Sequence, residues 1–439
     1  MNMLYDSAAS TFANSKEYMS IRLKAHEHLL ARVEEIGSEF SRWDENKIRQ
    51  FVAVEIDRFV QVRRVPINAI EAQQIAQDLL KEINGLGPLD DLMRDQAVED
   101  ILINGYQNVF VSRRGVLQKQ VLAFTDNGHL LRIIQRVLAP LGRRLDESTP
   151  MVDARLPGGG RLNAVIPPLS LDGPLVSIRK FRKDPFDMDD LVRMGSMDKA
   201  MADLLHLVVR ERCNVLISGG TGSGKTSLLN AMASFIPDAE RVVTIEDAAE
   251  LSLHHPHVVR MESRPPGLDG QGAITTRDLL RNSLRMRPDR IVIGEVRGAE
   301  VIEMLQAMNT GHDGSMATIH ASSPRECLYR LEMLAGFAGF SGSELSLRRQ
   351  VASALDFIVQ IGRLPNGKRK LLSITEVLGI NDDMIALQEL YRHESQEDPN
   401  GADRWKALGV HPQTPKLAKL KPTHAARLQA TAGERGWPL

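Results

Sequence analysis

A chain of 439 residues exceeds the ~100–200 residues of an ordinary domain, so at least two folded units are expected. Its 43% hydrophobic content supplies a sizeable core, while a formal net charge of −1 excludes a global field that would draw in nucleic acid or anionic lipid. Cys213 and Cys327 are too few for a disulfide framework or a four-thiolate zinc site, no apolar run nears the ~20 residues of a membrane span, and the N-terminus lacks a signal-peptide pattern, so a cytoplasmic setting is expected.

Residues 1–66 read as a helical extension, in which Leu29, Leu30, Val33 and Ile36, then Phe51, Val52, Ile56, Phe59 and Val60, recur at helical spacing. Asn84-Gly85-Leu86-Gly87-Pro88 breaks that pattern, and strands follow. Ile101-Leu102-Ile103 and Val109-Phe110-Val111 flank Asn104-Gly105, a hairpin signal with a loop of two residues or more. A helix is expected over 129–141, then strands over 152–156 and 162–166 around Gly158-Gly159-Gly160, and another over 175–178. Residues 67–185 thus form a smaller α+β domain, with a linker at Lys183-Asp184-Pro185-Phe186. Over 186–392 strands alternate with helices, the pattern of an α/β domain with a mainly parallel sheet. Residues 393–439, rich in Pro, Gly and charge, read as a flexible tail. Its basic excess includes Lys416, Lys419, Lys421, Arg427 and Arg435, and removal of 396–439 is expected to leave turnover intact.

The chemistry concentrates in the third region. Val215-Leu216-Ile217-Ser218 is a short apolar strand, followed at once by Gly219-Gly220-Thr221-Gly222-Ser223-Gly224-Lys225-Thr226 and a helix that begins near Lys225 and runs through Ser227-Leu228-Leu229-Asn230-Ala231-Met232. Glycines let backbone N–H groups ring a phosphate where a Cβ would clash, and the helix directs its positive end at the anion. Lys225 then neutralises the β- and γ-phosphates of ATP, and the Thr226 hydroxyl ligates Mg²⁺. Three further apolar runs end in polar groups: 242–245 in Glu246-Asp247, 291–294 in Glu295, and 316–319 in His320. Open α/β sheets bind ligands at the carboxyl ends of their strands, so parallel strands would bring two carboxylates and an imidazole to the phosphate edge. Taken singly, each acid reads equally well as a helix cap or solvated charge, and His320 as a satisfied histidine. The joint pattern carries the reading of an ATP hydrolase.

These segments together resemble one family. Gly219–Thr226, Thr244-Ile245-Glu246-Asp247-Ala248-Ala249-Glu250-Leu251, Arg287-Pro288-Asp289-Arg290-Ile291-Val292-Ile293-Gly294-Glu295-Val296-Arg297-Gly298 and Gly311-His312-Asp313-Gly314-Ser315-Met316-Ala317-Thr318-Ile319-His320-Ala321 match, in order, the Walker A, Asp-box, Walker B and His-box motifs of the type II/type IV secretion ATPases. Leu102-Ile103-Asn104-Gly105, Asp153-Ala154-Arg155-Leu156-Pro157, Arg161-Leu162-Asn163-Ala164-Val165-Ile166-Pro167-Pro168 and Ser177-Ile178-Arg179-Lys180-Phe181 resemble its CpaF/TadA branch, which powers Tad (Flp) pilus assembly. The resemblance implies a RecA-like P-loop domain, a ring-shaped hexamer, an N-terminal domain that clamps nucleotide, and attachment to an inner-membrane platform protein at the cytoplasmic face. It implies Glu246 as general base and Glu295 as the acid that helps hold Mg²⁺ and its water, with the two roles open to exchange. His320 would couple nucleotide state to domain movement, and Arg161 and Arg179 match positions that bring positive charge to the phosphates. Gly294 stands where many P-loop enzymes carry an aspartate, as is normal for the family. The tetracysteine insertion of the type II secretion ATPases is missing, which argues against that branch.

Two other classes compete. A DNA translocase on the same core is favoured by Arg277, Arg281 and Arg285, one stripe on a helix, although a subunit interface or solvated face reads as well. A nucleotide-dependent switch without turnover is opposed by Glu246 and Glu295, since a pure binder needs no such pair.

Overall fold

A computed structural model describes residues 16–37, 39, 43–84, 86–113, 115–120, 124–157, 159–181, 185–264, 266, 271–394 and 404–418. The chain divides into two compact units, Met1–Arg182 and Lys183–Leu439. The expected linker residues Lys183 and Asp184 lie outside the described residues, as do Gly158 and tail residues Lys419, Lys421, Arg427 and Arg435.

The first unit opens with helices α1 (Lys16–Ile36), α2 (Glu45–Arg63) and α3 (Ala69–Asn84). The Asp44 side chain caps α2 by accepting the Lys47 N–H at 2.8 Å. Tyr18, Ala25, Leu29, Val52, Ile56, Phe59, Ile75 and Leu79 close the helical core. Here the expected boundary at residue 66 is corrected. Ala72, Ile75 and Leu79 of α3 recur on one helical face and bury against α1 and α2, so the helical part runs to Asn84.

After α4 (Asp90–Arg94) come β1 (Val98–Asn104), β2 (Val109–Arg113), β3 (Val116–Gln120), α5 (Asn127–Leu138), β4 (Met151–Arg155), β5 (Arg161–Val165) and β6 (Leu175–Arg179). They form an antiparallel sheet in the order β3-β2-β1-β6-β5-β4. Alternation in sequence sets its two faces: in β6, Val176 and Ile178 are buried while Leu175, Ser177 and Arg179 are exposed. Leu130, Ile133, Ile134 and Leu138 of α5 cover the apolar face. The β1–β2 loop spans four residues, with Gly105 at φ +70°.

The second unit contains α6 (Met188–Arg193), α7 (Lys199–Arg210), β7 (Val215–Ser218), α8 (Lys225–Ala233), β8 (Val242–Glu246), β9 (Val258–Glu262), α9 (Thr276–Ser283), β10 (Arg290–Val296), α10 (Glu300–Asn309), β11 (Met316–Ile319), α11 (Pro324–Phe337), α12 (Glu344–Ala354), β12 (Phe357–Arg363), β13 (Arg369–Asn381), β14 (Met384–Glu394), β15 (Arg404–Ala407) and α13 (Pro415–Ala418). Nine strands run in the order β15-β14-β13-β12-β7-β11-β10-β8-β9. From β12 to β9 every pairing is parallel; β13, β14 and β15 continue the sheet antiparallel. Central strands are buried on both faces. Val215 and Ile217 join one core and Leu216 the other, which explains their unbroken apolar runs.

The expected tail from residue 393 is also corrected. β14 continues to Glu394, and Arg404–Ala407 add an edge strand to it. Buried Glu376 then accepts the backbone N–H groups of Gln413 and Thr414 at 2.8 and 2.7 Å, and Lys416 Nζ pairs with Asp313 and Asp356 at 2.7 and 2.8 Å. These specific partners hold a stretch whose composition alone reads as loose. Among the described residues, no helix is long and apolar enough to cross a membrane.

Candidate active site

The phosphate loop turns out of β7 and enters α8. Gly222 at φ +69° and Gly224 at φ +102° adopt backbone that only glycine takes without strain. A Cβ on Gly219 would lie 2.3 Å from the Ile361 carbonyl oxygen and 2.6 Å from Ser223 Oγ, so this position admits no side chain. Lys225 opens α8, with Thr226 and Ser227 half-buried in its first turn. Lys225 Nζ donates to the carbonyls of Gly219 at 3.0 Å and Gly220 at 3.1 Å, and lies 3.4 Å from the His320 ring nitrogens. Burial pulls its pKa down, opposed by the nearby Glu295 carboxylate.

Parallel pairing of β7, β11, β10 and β8 puts the carboxyl ends of all four on this edge. Glu246 ends β8 and is buried to 2% exposure. Its Oε2 accepts the N–H groups of Glu250 at 2.7 Å and Leu251 at 2.8 Å; Oε1 has no hydrogen-bond partner among the described residues. Burial pushes the carboxyl up to about 7, against the lowering effect of those two N–H groups. Gly294 acquires a reason here: a Cβ at that position would lie 3.0 Å from Glu246 Cγ, so the missing side chain makes room for the glutamate.

Glu295 is aimed by an irregularity. Ile293 pairs with Ala317 and Val296 with Ile319, so Gly294 and Glu295 together oppose the single residue Thr318, a β-bulge. Thr318 Oγ1 locks it by donating to the Gly294 carbonyl at 2.6 Å. Glu295 Oε1 lies 2.7 Å from His320 Nε2, and Arg297 donates to its Oε2. Burial and the Lys225 charge lower the His320 pKa, opposed by the Glu295 carboxylate. Lys225, Glu295 and His320 are thus one contact group, with Glu246 beside it across Gly294.

Arg161 and Arg179 belong to the other unit. They are cross-strand partners in β5 and β6, and the same row continues to Arg155 on β4 and Asp100 on β1. Three arginines therefore share one face, with Asp100 accepting from Arg179 Nε at 3.0 Å. The arginine stripe that favoured a DNA translocase is engaged within the protein. Arg277 and Arg281 of α9 each pair at 2.8 Å with buried Glu303 of α10, and Arg285 donates to the Arg281 carbonyl.

Several site residues escape sequence reasoning. Arg155 and Arg297 lie inside motifs quoted for the resemblance, but only pairing geometry shows what they face. Arg369, whose Nε donates to the Gly222 carbonyl at 3.0 Å, carries no local signal at all.

The donor set suits Mg²⁺. Thr226 and Glu295 offer hard oxygen ligands, the donor type of an Mg²⁺ ion held by one or two protein oxygens together with substrate phosphates.

The sequence profile of the family described as "Type II/IV secretion system protein" matches residues 82–409. A putative conjugal transfer protein of Mycobacterium tuberculosis is 38% identical over 336 residues, covering 72% of this chain and 95% of the relative. The type IV secretion system protein VirB11 of Bartonella quintana is 30% identical over 329 residues, covering 66% of this chain and 91% of the relative. The crystal structure of the VirB11 ATPase from the Brucella suis type IV secretion system, in complex with sulphate, is similar over 66% of this chain and 95% of that one, at 26% identity and a TM-score of 0.36.

Proposed function

The chain belongs to the type II/IV secretion system protein family, and from that membership we propose a hexameric motor that couples ATP hydrolysis to assembly of a Tad/Flp-type pilus, or to related secretion across the inner membrane. It is an ATP-hydrolysing enzyme of a secretion machine. The observation that carries the mechanism is the convergence of Lys225, Glu246, Glu295 and His320 on one edge of a parallel, RecA-like sheet.

The glycine loop and Lys225 hold the triphosphate and neutralise its charge. Thr226 and Glu295 would hold Mg²⁺, which when bound supplies further neutralisation at the β- and γ-phosphates. Glu246 is the general base. One of its oxygens is fixed by two backbone N–H groups, and a pKa near 7 suits proton abstraction at neutral pH. The exchanged assignment, with Glu295 as base, is disfavoured because Glu295 already pairs with Arg297 and His320. His320, between Lys225 and Glu295, is the natural reporter of nucleotide state. The family resemblance gives Arg161 and Arg179 of the first unit the task of bringing positive charge to the phosphates, and Arg155 is their neighbour in the same row.

The pilus branch rests on the CpaF/TadA-like runs at 102–105, 153–157, 161–168 and 177–181, while a chain with two cysteines, both buried, lacks the tetracysteine insertion and so speaks against the type II branch. Attachment to a membrane platform protein follows from the same branch. The direct test is cellular: a strain carrying Lys225→Ala should produce the protein at normal levels yet lack surface pili. Normal pili in that strain would reject the pilus assignment. Strong stimulation of the purified ATPase by DNA would instead point to a translocase.

A further inference from the structure

The end of the β12–β13 pair reaches the phosphate loop from two sides. Ile361 of β12 packs beneath it: the Cβ positions of Gly219 and Gly224 lie 3.1 and 3.6 Å from its side-chain carbons. Arg369, the first residue of β13 and half-buried, passes over the crown. Its Nε donates to the Gly222 carbonyl at 3.0 Å, and its Cδ lies 3.4 Å from the Cβ position of Gly224. In a trans peptide the C=O and the following N–H point in opposite directions. Holding the Gly222 carbonyl therefore fixes the Ser223 N–H on the opposite side of that peptide, from which it donates to the Gly220 carbonyl at 3.4 Å.

Arg369 is itself held by its neighbours. Buried Lys370 donates its Nζ to the Gly195 carbonyl and lies 5.4 Å from the centre of the Trp405 ring. The Leu371 N–H donates to Ser196 O at 2.8 Å, while Leu371 O accepts the Trp405 indole N–H at 2.7 Å. Trp405 sits on β15, in the C-terminal segment that closes the antiparallel end of the sheet. A continuous chain of contacts therefore runs from Trp405 through Leu371 and Arg369 to Gly222.

We infer that Arg369 is a positioning residue for the phosphate loop, and that Trp405 of the C-terminal segment sets its place. Arg369 acts through the loop backbone, so it governs the affinity of the cradle for any nucleotide carrying a β-phosphate. It has little part in the chemical step. The inference rests on reading 219–226 as the phosphate site, and the test separates the two.

Full-length wild type, Arg369→Met, Arg369→Lys, Trp405→Phe and Lys225→Ala are compared for turnover and for binding of fluorescent ADP and ATP analogues. Methionine keeps the aliphatic stem against Gly224 but removes the donor. The donor to the Gly222 carbonyl is lost, so Arg369→Met should weaken both nucleotides and raise KM by about 3–10-fold while kcat stays within about twofold. Arg369→Lys, which keeps a donor, should return affinity to within about twofold of wild type. Trp405→Phe keeps the ring over Lys370 but loses the indole N–H, and should weaken ADP and ATP alike by about 2–3-fold. Unchanged thermal midpoints confirm that the variants are folded. Wild-type affinity in Arg369→Met, or a loss confined to kcat, overturns the positioning role. Wild-type affinity in Trp405→Phe overturns the link to the C-terminal segment. Undiminished binding by Lys225→Ala would instead reject the phosphate-site reading beneath both.

Discussion

The two sheets place their chemistry differently. In the nine-stranded sheet the central parallel strands are covered on both faces, so their charged side chains gather near strand ends, and Glu246, Glu295 and His320 all stand there. The six-stranded sheet packs its apolar face against α5 and alternates more polar side chains onto the other face. That second face carries a row of arginines, Arg155, Arg161 and Arg179, side by side across β4, β5 and β6 where those strands end or begin. A double-covered sheet forces reactive groups together at one rim, while a sheet with one polar face can offer a charged surface. The first arrangement suits chemistry in a dry site, and the second suits charge presented to a ligand.

That contrast can be broken by substitution. Lys225→Ala should abolish detectable turnover and most nucleotide binding, because it removes the fixed charge at the rim; a variant with wild-type activity would reject the phosphate-loop assignment. Glu246→Gln and Glu295→Gln should each keep binding while hydrolysis falls by on the order of 10²-fold or more, and normal turnover in either variant places that residue outside the chemistry. On the polar face, Arg161→Ala or Arg179→Ala should lower turnover by about 10-fold, weaken a non-hydrolysable ATP analogue more than ADP, and leave the thermal midpoint unmoved. Equal losses for both nucleotides would contradict a role directed at the γ-phosphate. The smallest effect is expected at the C-terminus. Removal of 419–439 should change turnover less than twofold, whereas removal of 395–439 strips Glu376 of two backbone donors and should lower the thermal midpoint by about 5–10 °C. Equal midpoints for the two truncations would show that the segment over 404–418 contributes nothing to stability.

What could be read from the sequence was local. Gly219–Ser227 declares itself because the loop chemistry needs its glycines and lysine at fixed short spacing, and Glu246, Glu295 and His320 because each closes an apolar run. Parallel pairing then makes them neighbours, which a periodic strand–helix pattern already predicts. Missed features depend on partners distant in the chain. Arg369 meets Gly222 across 147 residues, and Arg277 meets Glu303 on a different helix, so no window of sequence reveals either pair. The boundary at residue 66 puts Ala69–Asn84 with the strands that follow, because nothing local in that stretch shows that Ala72, Ile75 and Leu79 pack against the two preceding helices. Arg404–Ala407 are too few to show alternation, and the strand exists because β14 offers an edge and Glu376 awaits donors.

The central claim is that a carboxylate buried at the rim of the parallel sheet, Glu246, performs the proton abstraction of ATP hydrolysis. The most direct test is kcat/KM for ATP measured from pH 5.5 to 9 on wild type and on Glu246→Gln, whose residual rate carries the ionisation of ATP itself and serves as the baseline. Burial raises this carboxyl to about 7, so the protonated, inactive form persists to near-neutral pH. The ratio of wild type to variant should therefore rise about tenfold per pH unit below that value and level off above it. A ratio that is flat across the whole range would contradict the assignment of Glu246 as the base.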